Sequence, residues 1–314
     1  MHQPTRTRML WSRLRRTPIA FAALCFIGAV CLMALLSVLG VPFGAYTYDQ
    51  TSADILTMPC TAHPMGTDEL GRDLLSRVIY GSRLSISIGF TTALVAFCIG
   101  TVYGAISGFF GGRTDELLMR GVDIAYALPD LLMMILIGMI FGRNTLGILM
   151  ALGLVSWMGT ARLVRAQFLQ LQREEFVEAA RAAGQSSFDI ITRHLLPNSL
   201  GPIIVAITFI VPSAILSEST LSFIGLGLSP PACSWGTLAS DGWRSLRSHP
   251  HLILFPSAFI FMTVLAFNFL GDGIRDIFDP RTRIPLKPLK DIKDSEASQD
   301  NSGPKTDTEM ASKR

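Results

Sequence analysis

Leu84-Ser-Ile-Ser-Ile-Gly-Phe-Thr-Thr-Ala-Leu-Val-Ala-Phe-Cys-Ile-Gly-Thr-Val-Tyr-Gly-Ala-Ile-Ser-Gly-Phe-Phe110 contains no Asp, Glu, Lys or Arg. At about 1.5 Å per residue a helix over this stretch is about 40 Å long, enough to cross a hydrocarbon core of about 30 Å. The pattern repeats on both sides of it, with charge-free intervals over 17–48, 144–161, 194–217, 219–240 and 248–271. Across all 314 residues 49% are hydrophobic and only 16% charged, against roughly 25% in a soluble domain. These intervals exclude a soluble globule and predict an all-α polytopic membrane protein with six transmembrane helices, over 19–41, 84–110, 124–142, 145–161, 200–217 and 251–271. The third of these holds Asp130 inside the helix or at its membrane boundary. The interval 219–240 is not a seventh span, because Gly225, Gly227, Pro230, Pro231 and Gly236 break helices. Such backbone is tolerated near a bilayer only when buried in protein or lining a wet cavity, so 218–250 is predicted to be a re-entrant loop.

Six spans put both termini on one side. Basic residues are retained in the cytoplasm, and with the amino end inside, 21 of the 27 Lys and Arg fall on cytoplasmic segments. The inside set comprises Arg6, Arg8, Arg13, Arg15 and Arg16 in the basic terminus 1–18, Arg113 and Arg120, five Arg within 162–199, and nine Lys or Arg in the tail 272–314. Both termini are therefore predicted to be cytoplasmic. The first apolar stretch is too long for a signal-peptide core and no clear A-x-A site follows it. The net charge of +3 suits the anionic inner leaflet of membrane lipids and does not imply nucleic acid. The polar, mixed-charge tail reads as disordered. Cys60 and Cys233 both fall on the outer side, where a disulfide or two free thiols are open alternatives.

No enzymatic constellation is present. The five Cys show no metal-ligand spacing, the five His lie at termini or loops near membrane boundaries, G-x-S-x-G and H-E-x-x-H are absent, and no Walker A loop exists to cradle ATP phosphates. No bound cofactor is predicted for this chain, and metal ligands are not predicted. Asp123, Asp130 and Glu218 are the acids nearest the membrane interior, where a mid-helix carboxylate costs about 2.5–3.5 kcal/mol. Asp130 follows Pro129 and reads either as a packing or boundary residue or as a contact on the path. Glu218 reads either as an anchor for the Gly-rich loop or as a path residue. Three scattered acids make a sparse relay for a proton-coupled carrier, and a polytopic enzyme would need a converging polar site that is not visible.

Within 162–199, Glu and Ala runs favour helix, Gly184 suits a helix end, and Ser186 or Ser187 can cap a following helix with Asp189 in its first turn. Phe188, Ile191 and Leu195 then share a face and Pro197 stops the pattern. The expectation is a helix, a turn and a short amphipathic helix whose apolar knob seeks a partner groove. On the outer side, Thr67 is expected to cap an amphipathic helix carrying Leu70, Leu74, Leu75, Val78 and Ile79, lying on the membrane surface within 42–83.

The series Glu178-Ala179-Ala180-x-x-x-Gly184, closed by Leu196-Pro197, resembles the ATPase-coupling loop of prokaryotic ABC importer permeases. His194 departs from the general pattern, and Arg193-His194-Leu195-Leu196-Pro197-Asn198 resembles the peptide-importer variant. His63-Pro64-Met65-Gly66-Thr67-Asp68-Glu69-Leu70-Gly71-Arg72-Asp73, Leu221-Ser222-Phe223-Ile224-Gly225-Leu226-Gly227 with Ser234-Trp235-Gly236, and Phe267-Asn268-Phe269-Leu270-Gly271-Asp272 with Asp279-Pro280-Arg281 resemble three further signatures. Together they resemble the C-type subunit of the dipeptide, oligopeptide and nickel permease family over about 10–283. That resemblance implies the ABC type I importer permease fold with a core over about 84–280. It also implies a non-enzymatic subunit of a prokaryotic inner membrane, a paralogous permease partner, two ATP-binding subunits and an extracytoplasmic binding protein. ATP would be bound by partner subunits only. Glu178, Ala179, Ala180, Gly184, Phe188, Ile191, Leu196 and Pro197 would couple to the ATPase, and the cargo would be di- or oligopeptide, with a nickel chelate or other small solute as the alternative.

Overall fold

The computed structural model describes residues 17–41 and 46–278. Among them are α1 (Pro18–Val38), α2 (Leu74–Phe110), α3 (Gly112–Tyr126), α4 (Asp130–Phe141), α5 (Thr145–Leu171), α6 (Glu175–Ala182), α7 (Ser187–Phe223), α8 (Trp235–Arg244) and α9 (His251–Phe278). No strand occurs among the described residues beyond a single bridge between Thr67 and Asp73. The basic residues before Thr17, the tail after Phe278 and the segment Asp279-Pro280-Arg281 lie outside the described residues.

α1, α2, α5, α7 and α9 are each long and apolar enough to cross a membrane, and α3 with α4 makes a sixth if the bent pair is one span. The expected continuous helix over 124–142 is not found: α3 and α4 meet at 85° across Ala127-Leu128-Pro129. The cause is local. Pro129 disfavours helical backbone at the residue before it, and its carbonyl instead begins the first turn of α4 by accepting from the Met133 N–H.

The expected outer helix capped by Thr67 is also corrected. The helix starts at Leu74, with the Asp73 carboxylate accepting from the Ser76 N–H at 2.8 Å, and runs without interruption into the second span. Thr67 is held elsewhere: its hydroxyl donates to the Asp54 carbonyl and accepts from the Thr57 N–H. Asp68 accepts from the N–H groups of Leu70 and Arg72, each at 2.9 Å, which competes with helical pairing over 68–72. The same carboxylate meets the Arg72 and Arg77 guanidinium groups at 2.8 and 2.5 Å. Burial pushes the Asp68 carboxyl up, but the Arg72 N–H, the Arg77 charge, the Leu70 N–H and the Arg72 charge outweigh it and hold the group below its ordinary range.

Three apolar clusters hold the bundle. One gathers α1, α2, α7, α8 and α9 around Trp235, which is fully buried and donates its indole N–H to the Val78 carbonyl at 2.9 Å. The second joins α2, α3, α4, α5 and α7 around Ile88, Met134, Leu152 and Ala214. The third, around Phe168 and Leu195, lies where the 162–199 segment meets the spans. α2 and α5 pack closely because Gly100, Gly104 and Gly108 lie one turn apart and present bare backbone to Thr160, Ala161 and Phe168. Many large apolar side chains face outward, among them Leu35, Leu94, Val102, Ile140 and Leu254, as a lipid-facing surface requires.

Candidate functional site

The 162–199 segment folds as expected in outline. α6 ends in a left-handed glycine: Gly184 has φ +75°, its N–H donates to the Arg181 carbonyl, and the Gln185 N–H donates to the Ala180 carbonyl. This double closure satisfies two carbonyls that the helix end would otherwise orphan. Ser186 then caps α7, its hydroxyl oxygen accepting from the Asp189 N–H at 3.1 Å.

Pro197 does not stop the second helix, contrary to expectation. Ile190–Leu195 forms a π-helical turn, Leu196 and Pro197 follow in helical register, and α7 continues to Phe223. Proline is tolerated at the first turn of a helical segment because its missing N–H has no obligatory partner there. At about 1.5 Å per residue, the 37 residues of α7 form a rod about 55 Å long.

The expected apolar knob is divided between interior and surface. Leu195 is fully buried and Ile191 half-buried, whereas Phe188 is 73% exposed. Val177 and Ala180 of α6 are buried against Val164 and Phe168 of α5 and Ile190, Leu195 and Ile203 of α7. Glu178, Ala179, Gly184 and Pro197 are exposed and Leu196 is half-buried. The result is a loop whose inner face is fused to the spans and whose outer face presents Glu178, Ala179 and Phe188.

Polar ties absent from the sequence reading complete that base. Gln172 donates to the carbonyls of Gly108 and Phe109 at the end of α2, at 2.6 and 3.0 Å, and accepts from Arg181 at 3.1 Å. Arg165 of α5 forks onto both oxygens of Asp115 in α3, at 2.5 and 2.6 Å, and Ser107 of α2 donates to the same carboxylate. α2, α3, α5 and α6 are thus locked together at this end.

A cavity of about 500 Å³ opens between the α3–α4 break, α5 and α7, lined by Tyr126, Asp130, Ser156, Ser213, Ser217 and Thr220 together with apolar groups. On α7 the lining runs from Ala206 to Thr220, about 21 Å of helix and so most of a hydrocarbon core. Asp130 is exposed at the first residue of α4, with no hydrogen-bond or ion-pair partner among the described residues. Glu218 takes no part in this lining. It is fully buried, and one of its oxygens accepts from the Ser222 and Ser234 hydroxyls at 2.8 and 2.6 Å. Ser234 is also the cap of α8, so of the two readings of Glu218 the geometry matches the loop anchor. Asp123 pairs with Arg162 at 2.6 Å on the surface.

The sequence profile of the binding-protein-dependent transport system inner membrane component matches residues 100–284. The chain belongs to this family. It is 41% identical over 278 residues to the dipeptide transport permease DppC of Bacillus subtilis, covering 88% of this chain and 86% of that protein. It is 43% identical over 280 residues to the oligopeptide transport permease OppC of Escherichia coli K12, covering 88% and 93%. Among solved structures, an inward-facing form of the methionine ABC transporter MetNI superposes with a TM-score of 0.53 at 15% identity, over 66% of this chain and 98% of that chain. This inner membrane component is therefore a permease subunit and not an enzyme, and its fold is that of the ABC importer permeases.

In this permease the matched region holds both the 162–199 loop and the cavity, while α1 and 46–73 fall before it. Several residues of the site escaped sequence reasoning. The hydroxyls of Ser213, Ser217 and Thr220 recur at i, i+4 and i+7 in an apolar helix, a periodic polar stripe that was there to be found. Gln172 carried no such signal, since a lone glutamine at a helix end reads as solvated. Cys60 and Cys233 are free thiols, the first exposed and the second buried. Burial pushes the Cys233 thiol up despite the nearby Arg77 charge.

Proposed function

We propose that this chain is the C-type membrane subunit of an ATP-driven importer, providing half of the path for di- and oligopeptides delivered by an extracytoplasmic binding protein. Its identity of 41–43% over most of its length to dipeptide and oligopeptide permeases carries this reading. Nothing in the geometry favours a nickel chelate over a peptide. In this reading a paralogous permease supplies the other half of the path, two ATP-binding subunits dock on the face of Glu178, Ala179 and Phe188, and both termini are cytoplasmic.

The mechanism follows from the rigidity of the loop base. A push on α6 and Phe188 cannot be absorbed locally, because Val177, Ala180 and Leu195 are sealed into the third cluster and Gln172 ties the loop to α2. α7 carries the displacement onward, since Phe188 near its start and Ser213, Ser217 and Thr220 near its end belong to one helix. Closure of the ATPase pair would thus move the cavity wall and alternate its access between the two sides. Pro202 and Pro212, both inside α7, are the points at which such a rod bends most readily. ATP is held by the partner subunits in this scheme, and this chain contributes the transmission and the wall.

The test is reconstitution of the complete transporter in proteoliposomes with its binding protein. Peptide uptake should require ATP and persist when the proton gradient is collapsed. Gly184→Pro and Glu178→Lys should each abolish uptake and ATPase co-purification while leaving membrane insertion intact. Normal uptake by either variant would refute the coupling assignment, and uptake without ATP would refute the importer reading.

A further inference from the structure

The cavity lining contains a single charged residue, and it is an acid. Asp130 faces a wall otherwise composed of hydroxyls, Tyr126 and apolar side chains. Arg162, whose guanidinium lies 4.1 Å from the centre of the Tyr126 ring in the lining, is already engaged: it pairs with Asp123 at 2.6 Å and is not itself part of the lining. Asp130 itself has no partner among the described residues. It is also fixed in place, because the Pro129 turn sets the start of α4 and Met134, one turn further on, is buried in the second apolar cluster.

The hydroxyls differ from this acid in what they can select. Ser156 and Thr220 donate to the carbonyls of Leu152 and Leu216 on their own helices, which leaves them as acceptors. Ser213 and Ser217 have no side-chain partner among the described residues and are free to donate or accept. Such groups meet any peptide backbone without regard to side chain. On this half of the path discrimination by charge then falls to Asp130, an unpaired carboxylate exposed on the cavity wall, which favours a cation and disfavours an anion passing it.

Building on the peptide-importer reading, we infer that Asp130 is a specificity-determining residue that speeds passage of cargo bearing cationic side chains and slows cargo rich in carboxylates. This selectivity would lie in the path and add to any preference of the binding protein. The experiment uses the complete transporter in proteoliposomes with saturating binding protein, and compares two tripeptides that differ only in a central lysine or glutamate. Each tripeptide's affinity for the isolated binding protein is measured separately. Asp130→Asn should lower the lysine-to-glutamate ratio of maximal uptake rates about five- to tenfold, the size of one partly screened charge contact. Asp130→Lys should invert the preference, and Asp130→Glu should retain it. An unchanged ratio in the Asn and Lys variants, with uptake intact, would overturn this inference and leave the importer reading standing. Equal loss of uptake in the Asn, Lys and Glu variants of an assembled complex would make Asp130 structural and would also overturn it. Failure of the unaltered transporter to take up either tripeptide, with ATP hydrolysis and binding-protein docking intact, would overturn the peptide reading itself.

Discussion

Replacing Gly104 by alanine places a methyl group 2.4 Å from the Ala161 carbonyl oxygen, 2.8 Å from Val164 Cβ and 3.0 Å from the Arg165 nitrogen. Ordinary contact begins near 3.4 Å, so α2 and α5 must part by about 1 Å at this level. Two of the three obstacles are backbone atoms that cannot rotate aside. The cost therefore lies at the upper end of the roughly 1–3 kcal/mol typical of overpacking. Removing a glycine from a helix interior returns about 1 kcal/mol, which leaves a net destabilisation of about 2 kcal/mol. Gly138 in α4 is the control, because a methyl group there meets nothing within 4 Å. Gly138→Ala should show only the favourable term, about 1 kcal/mol. The two alanine variants thus differ in sign and by about 3 kcal/mol. Thermal unfolding of the purified protein in mild detergent, followed by near-UV circular dichroism, should show Gly104→Ala melting lower and Gly138→Ala at or above the unaltered protein. If Gly104→Ala melts no lower than the unaltered protein, the helices do not approach as closely as argued, and the glycine ladder is not what holds α2 against α5.

Phe188→Ala should change stability by no more than about 0.5 kcal/mol, as for an exposed side chain, yet release the ATPase subunits on size-exclusion chromatography. Leu195→Ala, in the third cluster, should destabilise by about 2–5 kcal/mol; equal stabilities for the two variants would contradict the division of this face. Glu218→Ala strips the Ser222 and Ser234 hydroxyls of a buried acceptor at a cost of about 1–3 kcal/mol, and should raise proteolytic cleavage within 224–234, whereas unchanged protection would argue against the anchor. The depressed Asp68 carboxyl contributes stability that is fully present above about pH 4, its unfolded value, and is lost as pH falls through the lower folded value. Intrinsic-rate-corrected hydrogen exchange over 66–73 should therefore be flat from pH 8 to 5 and accelerate only below about pH 4; acceleration already between pH 7 and 5 would point to a different group.

The spans were legible because a bilayer imposes a requirement that composition answers directly: about twenty apolar residues and no charge. α2 and α5 needed no further information. The α3–α4 break was harder, although its cause, Pro129, is plain in the sequence. A proline in an apolar stretch is consistent with a kink, a boundary or a full stop, and only packing around Met134 selects among them. The outer segment failed for a different reason. Asp68 followed by Glu69 suits a helix start, but its carboxylate is claimed by Arg77, nine positions on, and helix propensity cannot weigh such a contact. Pro197 misled in the opposite sense, since it falls in the first turn of the segment that follows the π-helical stretch, where its missing N–H costs little and the rod continues.

That continuation changes how the loop can work. A short helix ended by Pro197 would be a hinged peg, and displacement of Phe188 would dissipate at the hinge. In the proposed coupling, a helix continuous to Phe223 makes the exposed face of Phe188 and the cavity wall parts of one element, with Pro202 and Pro212 as its points of easiest bending. The burial of Leu195, which removes it from the exposed face, would serve the same end, because a peg seated in Val164, Phe168 and Val177 cannot swivel. Gln172 adds α2 to this body through the Gly108 and Phe109 carbonyls, and Gly108 is the last rung of the ladder that fits α2 to α5. In the proposed scheme, force entering at Phe188 would therefore reach α7, α2 and α5 together, and the serine stripe on α7 would move relative to Asp130 on α4.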